Sequence, residues 1–140
     1  MIFLRSQVSE PIIGISHQKV LSLAIPGNYL IMLQRLYVHN FRCLENFELT
    51  MKEMSSALLI GKNGTGKSTI ATALEVLQSI GRGINRVGQL VKSKDFTRGR
   101  YDVPIRLEIE VLLEEKLYKY VLALELPEKF KELRVFKNNF

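Results

Sequence analysis

One stretch constrains this chain more than any other: Gly61-Lys62-Asn63-Gly64-Thr65-Gly66-Lys67-Ser68-Thr69. It matches G-x-x-x-x-G-K-[ST] at every fixed position. Its flanks fit as well. Ala57-Leu58-Leu59-Ile60 is a short apolar run suited to a buried strand, and residues 68–80 carry Ile70, Ala73, Leu74, Leu77 and Ile80 at helical spacing. Strand, glycine-rich loop and helix is the arrangement such a loop requires. An accidental glycine-rich turn would have no reason to carry both flanks.

The residue types give the chemistry. Glycines let the backbone approach a ligand and turn successive N–H groups inward as an anion nest. The following helix adds roughly half a positive charge at its N-terminus. Gly61, Lys62, Asn63, Gly64, Thr65 and Gly66 would form the cradle. Lys67 would reach the β- and γ-phosphates of a nucleotide, and the Ser68 hydroxyl would bind Mg²⁺. Thr69 would add a hydroxyl near the α-phosphate.

Composition sets bounds. A chain of 140 residues with 46% apolar content has room for one domain and its core. The net charge of +6 suits an anionic partner, though the loop itself requires some of it. Cys43 is the single cysteine, so no internal disulfide forms and no zinc spacing exists. A reduced, cytoplasmic protein is expected. No apolar run reaches the roughly 18 residues of a membrane span. The nearest, residues 20–33, is broken by Pro26-Gly27-Asn28. The N-terminus lacks the basic region and apolar core of a secretion signal.

Residues 1–31 read differently from the rest. Pro11, Gly14, Pro26 and Gly27 interrupt short apolar pieces, and His17 reads as a solvated loop residue. Met32 opens a segment that reads cleanly, so 1–31 is expected to be an upstream extension, from a start called too early. An ordered extension strand is the rival reading. Residues 33–39 and 45–49 predict two strands paired as a hairpin ahead of the loop. Gly81, Gly83 and Gly88 mark the helix end and a loop. Between Arg82 and Arg100 lie six basic residues (Arg82, Arg86, Lys92, Lys94, Arg98, Arg100) and one acid, Asp95. This is either a solvated loop or a surface for nucleic acid phosphates.

Residues 103–113 alternate strictly. Val103, Ile105, Leu107, Ile109, Val111 and Leu113 share one face, with Arg106, Glu108 and Glu110 opposite. After a turn at Glu114-Glu115-Lys116, residues 117–126 return with Tyr118, Tyr120, Leu122, Leu124 and Leu126 on one face. Pro127 ends that strand, and residues 133–136 start another.

A strand ending in Asn40-Phe41-Arg42, a short acidic strand, and the Gly61-to-Thr69 loop about 20 residues on together resemble the N-terminal lobe of ABC-type ATPases. The resemblance is to the SMC, RecF and OLD-like group, called AAA-family ATPases in bacterial genomes, and covers about residues 32–136. It implies an α/β P-loop NTPase lobe: a mixed sheet with an antiparallel β-hairpin region, and a partial nucleotide-binding domain over residues 32–140. It also implies ATP and Mg²⁺ as ligands, Arg42 near the nucleotide phosphates, and a dimer of this chain or with a second ATPase chain. Coupling to DNA, RNA or a nuclease partner is implied too. Asn40 is expected to cap its turn rather than touch ligand.

The departures from the family pattern are specific. No Leu-Ser-x-Gly-like signature loop is present. The nearest imitation of a Walker B strand, Val111-Leu112-Leu113-Glu114-Glu115, sits at a predicted hairpin turn. No histidine follows His39, and Gln89 is the nearest candidate for the Q-loop glutamine, with Gln78 inside the helix. The chain is therefore expected to bind ATP with little or no hydrolysis and to be incomplete as a folding unit. Three readings follow: part of a longer ATPase, a short ATP-binding partner module, or a nucleic-acid-binding protein using residues 82–100.

Overall fold

A computed structural model describes residues 2–5, 19–22, 31–52, 54, 56–128 and 132–135. His17, the Pro26-Gly27-Asn28 break, Phe136 and residues 137–140 fall outside them. The elements are β1 (Ile2–Arg5), β2 (Lys19–Ser22), β3 (Ile31–His39), β4 (Phe47–Thr50), β5 (Ser56–Leu59), α1 (Lys67–Gly81), α2 (Val87–Leu90), β6 (Ile105–Leu113), β7 (Lys116–Glu125) and β8 (Arg134–Val135).

The strands form two sheets rather than the single mixed sheet expected. The larger has the order β4-β3-β6-β7-β8 and is antiparallel at every pairing. The smaller has the order β2-β1-β5, with β1 parallel to β2 and antiparallel to β5. Mixed pairing is thus confined to the small sheet, and two of its strands come from residues 1–31. The strand before the glycine-rich loop, expected to be buried, lies at the edge of the small sheet. Leu58 is 45% exposed there and Ile60 81% exposed, while Ala57 and Leu59 turn toward the core.

The core lies between the large sheet and α1. Ile70, Ala73, Leu74 and Leu77 are buried as the helical spacing predicts, joined by Ala71 and Val76. They pack with Leu36, Val38, Ile105, Leu107, Leu122 and Leu124 of the sheet. The helix also runs beside β1 and β2. It ends as the glycines predict: Gly83, at φ +94°, donates its N–H to the Ile80 carbonyl at 2.9 Å. No helix among the described residues is long and apolar enough to cross a membrane.

β3 keeps one face inward by a bulge. Leu33 pairs with Val111 and Arg35 with the adjacent Glu110, so Gln34 is an extra residue in the ladder. Leu33, Leu36 and Val38 then all face the core despite their uneven spacing. The β6–β7 hairpin closes through Glu114 and Glu115 at φ +48° and +64°. Two positive values are what a two-residue turn of matching twist requires. The Walker B imitation therefore ends in an exposed turn.

The predicted faces hold along β6 and β7, but exposure departs from the simple inside–outside pattern at two places. Tyr118 and Tyr120 share the face of Leu122 and Leu124, across from Val111 and Ile109, yet are 50% and 45% exposed. Glu108, expected to face solvent, is 4% exposed. It is surrounded by Arg106 Nε at 2.6 Å, Arg35 Nη1 at 2.9 Å and Lys119 Nζ at 3.2 Å. Three neighbouring cations make its burial tolerable.

Burial pushes the Glu108 carboxyl up, but hydrogen bonds from Arg35, Lys119 and Arg106 outweigh it and hold it below the usual carboxylate range. A lowered folded value gives stability that is complete above the unfolded value of 4.5 and is lost as pH falls through the folded value. Glu108→Gln is expected to cost about 1–2 kcal/mol at neutral pH. It should also flatten the fall in Tm as pH drops below about 4.5. A Tm–pH curve parallel to that of the native chain would refute the assignment.

Candidate functional site

The glycine-rich loop joins β5 to α1. Gly66 is the N-cap of α1, at φ +98° and ψ +1°, and its carbonyl accepts the first helical bond from Ile70 N at 2.9 Å. No side chain caps this N-terminus, and no acidic residue lies in its first turn. The first N–H groups of the helix therefore keep their full attraction for an anion.

Lys67 folds back over the loop. Its Nζ donates to the carbonyls of Gly61 at 2.5 Å and Lys62 at 2.7 Å, with Thr65 Oγ1 at 3.4 Å. Thr65 Oγ1 in turn donates to the Lys62 carbonyl at 2.8 Å. A Cβ on Gly61 would come within 2.9 Å of that hydroxyl, so the cradle closes only around glycine. Lys62, Asn63, Gly64 and Ser68 are exposed. Thr69 is 7% exposed, and its Oγ1 lies 3.4 Å from Cys43 Sγ. The structure thus ties Gly61, Lys62, Thr65 and Lys67 together within the loop and turns Thr69 toward Cys43.

That turn, Asn40 to Leu44, supports the loop. A Cβ on Gly66 would lie 2.8 Å from Leu44 Cδ2 and 3.3 Å from Cys43 Sγ. Phe41 is fully buried and bridges Phe96. Asn40 is fully buried and donates from Nδ2 to the carbonyls of Arg100 at 2.9 Å and Val103 at 2.6 Å. Its role is to clamp the following loop onto the turn.

Arg42 stands beside the helix. Its backbone is at φ +54°, and its guanidinium carbon lies 5.4 Å from the centre of the Phe41 ring. Nε donates to Asp95 Oδ1 at 2.8 Å, and Nη1 donates to Thr72 Oγ1 at 3.2 Å. Thr72 Oγ1 donates to the Ser68 carbonyl at 2.9 Å. Arg42 is thereby tied to the first two turns of α1. Sequence reasoning missed Cys43, Leu44, Thr72 and Asp95 as parts of this site. Asp95 had a signal, being the lone acid in a basic stretch.

The basic stretch lies at the surface. Arg82, Arg86, Lys94 and Arg98 are exposed, and Arg100 Nη1 lies 3.5 Å from Glu45 Oε2. Lys92 Nζ donates to the Gly88 carbonyl. Gln89 is exposed in α2.

Comparison with known proteins gives the family. The chain is 44% identical over 46 residues to the OLD nuclease of Thermus scotoductus (strain ATCC 700910 / SA-01). That alignment covers 33% of this chain and 8% of the nuclease, so the chain spans a small part of that relative's length. The profile of the AAA ATPase domain matches residues 32–139, which hold nearly all of β3, the Asn40-to-Leu44 turn, the glycine-rich loop, its helix and the β6–β7 hairpin. With its loop, its helix and most of its length inside that match, the chain belongs to the AAA ATPase domain family of P-loop ATPases.

Proposed function

We propose that this chain binds Mg-ATP through residues 61–69, with Lys67 on the β- and γ-phosphates and Arg42 approaching the phosphates from the side. The observation that carries the reading is the helix N-terminus at Gly66, uncapped and free of acid, with the adjacent Lys67 ammonium bonded to the carbonyls of Gly61 and Lys62 in the same loop. A phosphate would replace those carbonyls as the partner of Lys67. The exposed Ser68 hydroxyl fits one ligand position of a hard cation that takes its others from phosphate oxygens and water. Bound Mg²⁺ would neutralise phosphate charge.

The arrangement we favour is that of the SMC, RecF and OLD-like group: a cytoplasmic ATP-binding lobe working as a dimer, or with a second ATPase chain, and coupled to nucleic acid or a nuclease. Turnover by this chain alone is expected to be weak, because its sequence carries no signature loop and no Walker B strand. Calorimetric titration with ATP tests the reading. Affinity is expected to rise with Mg²⁺, and Ser68→Ala should remove about tenfold of that gain while leaving affinity in EDTA unchanged. No binding to the native chain at millimolar ATP would overturn the proposal.

A further inference from the structure

We infer that Asp95 is a positioning residue for the nucleotide site, and that through Arg42 it makes the basic loop at residues 92–99 respond to nucleotide. This rests on the reading of Arg42 as a phosphate-facing arginine. Asp95 is 4% exposed, and it bonds to Arg42 on one side and to Lys92 on the other. Its backbone carbonyl accepts Arg42 N at 2.6 Å, and its Oδ1 accepts Arg42 Nε at 2.8 Å. Its Oδ2 accepts Lys92 N at 2.8 Å. One buried carboxylate thus holds both the arginine and the start of the loop that displays Lys94 and Arg98.

The arginine carries the link onward. A guanidinium has five N–H donors in a rigid plane. Fixing Nε on Asp95 sets the plane, and Nη1 then meets Thr72 Oγ1 at 3.2 Å. Thr72 lies about one helical turn from Ser68, and its hydroxyl is bonded to the Ser68 carbonyl. An anion at the helix N-terminus that draws the guanidinium toward itself must pull on Asp95. Because Asp95 also anchors Lys92 N, the pull reaches the backbone of residues 92–99. An exposed arginine pair would be expected to rearrange freely; here one partner is buried and bonded on both carboxylate oxygens, so the movement is passed on.

Amide hydrogen exchange on the full 140-residue chain, with and without saturating Mg-ATP, tests the link. In the native chain ATP is expected to slow exchange at residues 61–69, and to change it at residues 92–99 by about threefold or more. Arg42→Lys keeps a cation but loses the planar fork. It is expected to weaken ATP binding by about tenfold and, at nucleotide raised enough to saturate the variant and protect residues 61–69, to lose the response at 92–99. If ATP protects 61–69 of the native chain while 92–99 stays unchanged, Asp95 only folds its own loop and the inference fails, with nucleotide binding intact. A response at 92–99 that survives in Arg42→Lys also overturns it. If no segment responds to ATP, the nucleotide reading fails and this inference with it.

Discussion

Replacing Lys67 by alanine is expected to abolish ATP binding while leaving the far-UV circular dichroism and the Tm unchanged. Among the described residues the Lys67 Nζ bonds to its own loop, at the carbonyls of Gly61 and Lys62 and the hydroxyl of Thr65. Those bonds lie at an exposed loop outside the core, so their loss should shift stability by no more than about 0.5 kcal/mol. The same ammonium would make charge-assisted bonds to two phosphates, each worth about 1.5–3 kcal/mol. Their loss corresponds to at least about a hundredfold in Kd. Calorimetry at matched protein concentration measures the difference. An unchanged Kd in the variant would end the assignment of this loop.

Gly66→Ala should fail in a different way, losing fold stability and ATP binding together. Gly66 sits at φ +98°, where an L-residue is strained by about 1–3 kcal/mol. Its new Cβ would also meet Leu44 Cδ2 at 2.8 Å and Cys43 Sγ at 3.3 Å. Leu44 is 6% exposed and has little room to retreat, so overpacking adds about 1–3 kcal/mol. A total loss of about 2–6 kcal/mol is large against the roughly 5–15 kcal/mol that holds a typical domain. Thermal melting is the measurement. A Tm within a degree of native would show that the turn under the loop yields more easily than the packing implies. Comparing the two variants separates a ligand contact from the scaffold that aims it.

What was legible in the sequence was local. The loop and α1 could be read because their residues are contiguous and each position has its own chemical reason. The strand β6 could be read because Ile105, Leu107 and Ile109 alternate with charge. What was hidden depends on partners far along the chain. Glu108 looked solvated because its burial is decided by Arg35 and Lys119, on the strands either side of it. Asp95 looked like a surface acid because its partner Arg42 is 53 residues away. The edge position of β5 was hidden for the same reason, since its partner strand is β1, Ile2–Arg5. Tyr118 and Tyr120 continue a correct alternation, but alternation does not say how much of a face is covered.

The bulge at Gln34 gives β3 an unusual tolerance of length. An ordinary strand that gains or loses one residue turns every side chain beyond that point to the other face. Here Leu33 and Arg35 already face consecutive partners, Val111 and Glu110, with Gln34 unpaired between them. Omitting Gln34 would close the ladder with Leu33, Leu36 and Val38 still inward. It would remove the bond from Met51 N to the Gln34 carbonyl, 2.9 Å long. The strand therefore contains one splice point, immediately before Arg35, where single-residue length variation leaves the hydrophobic face in phase.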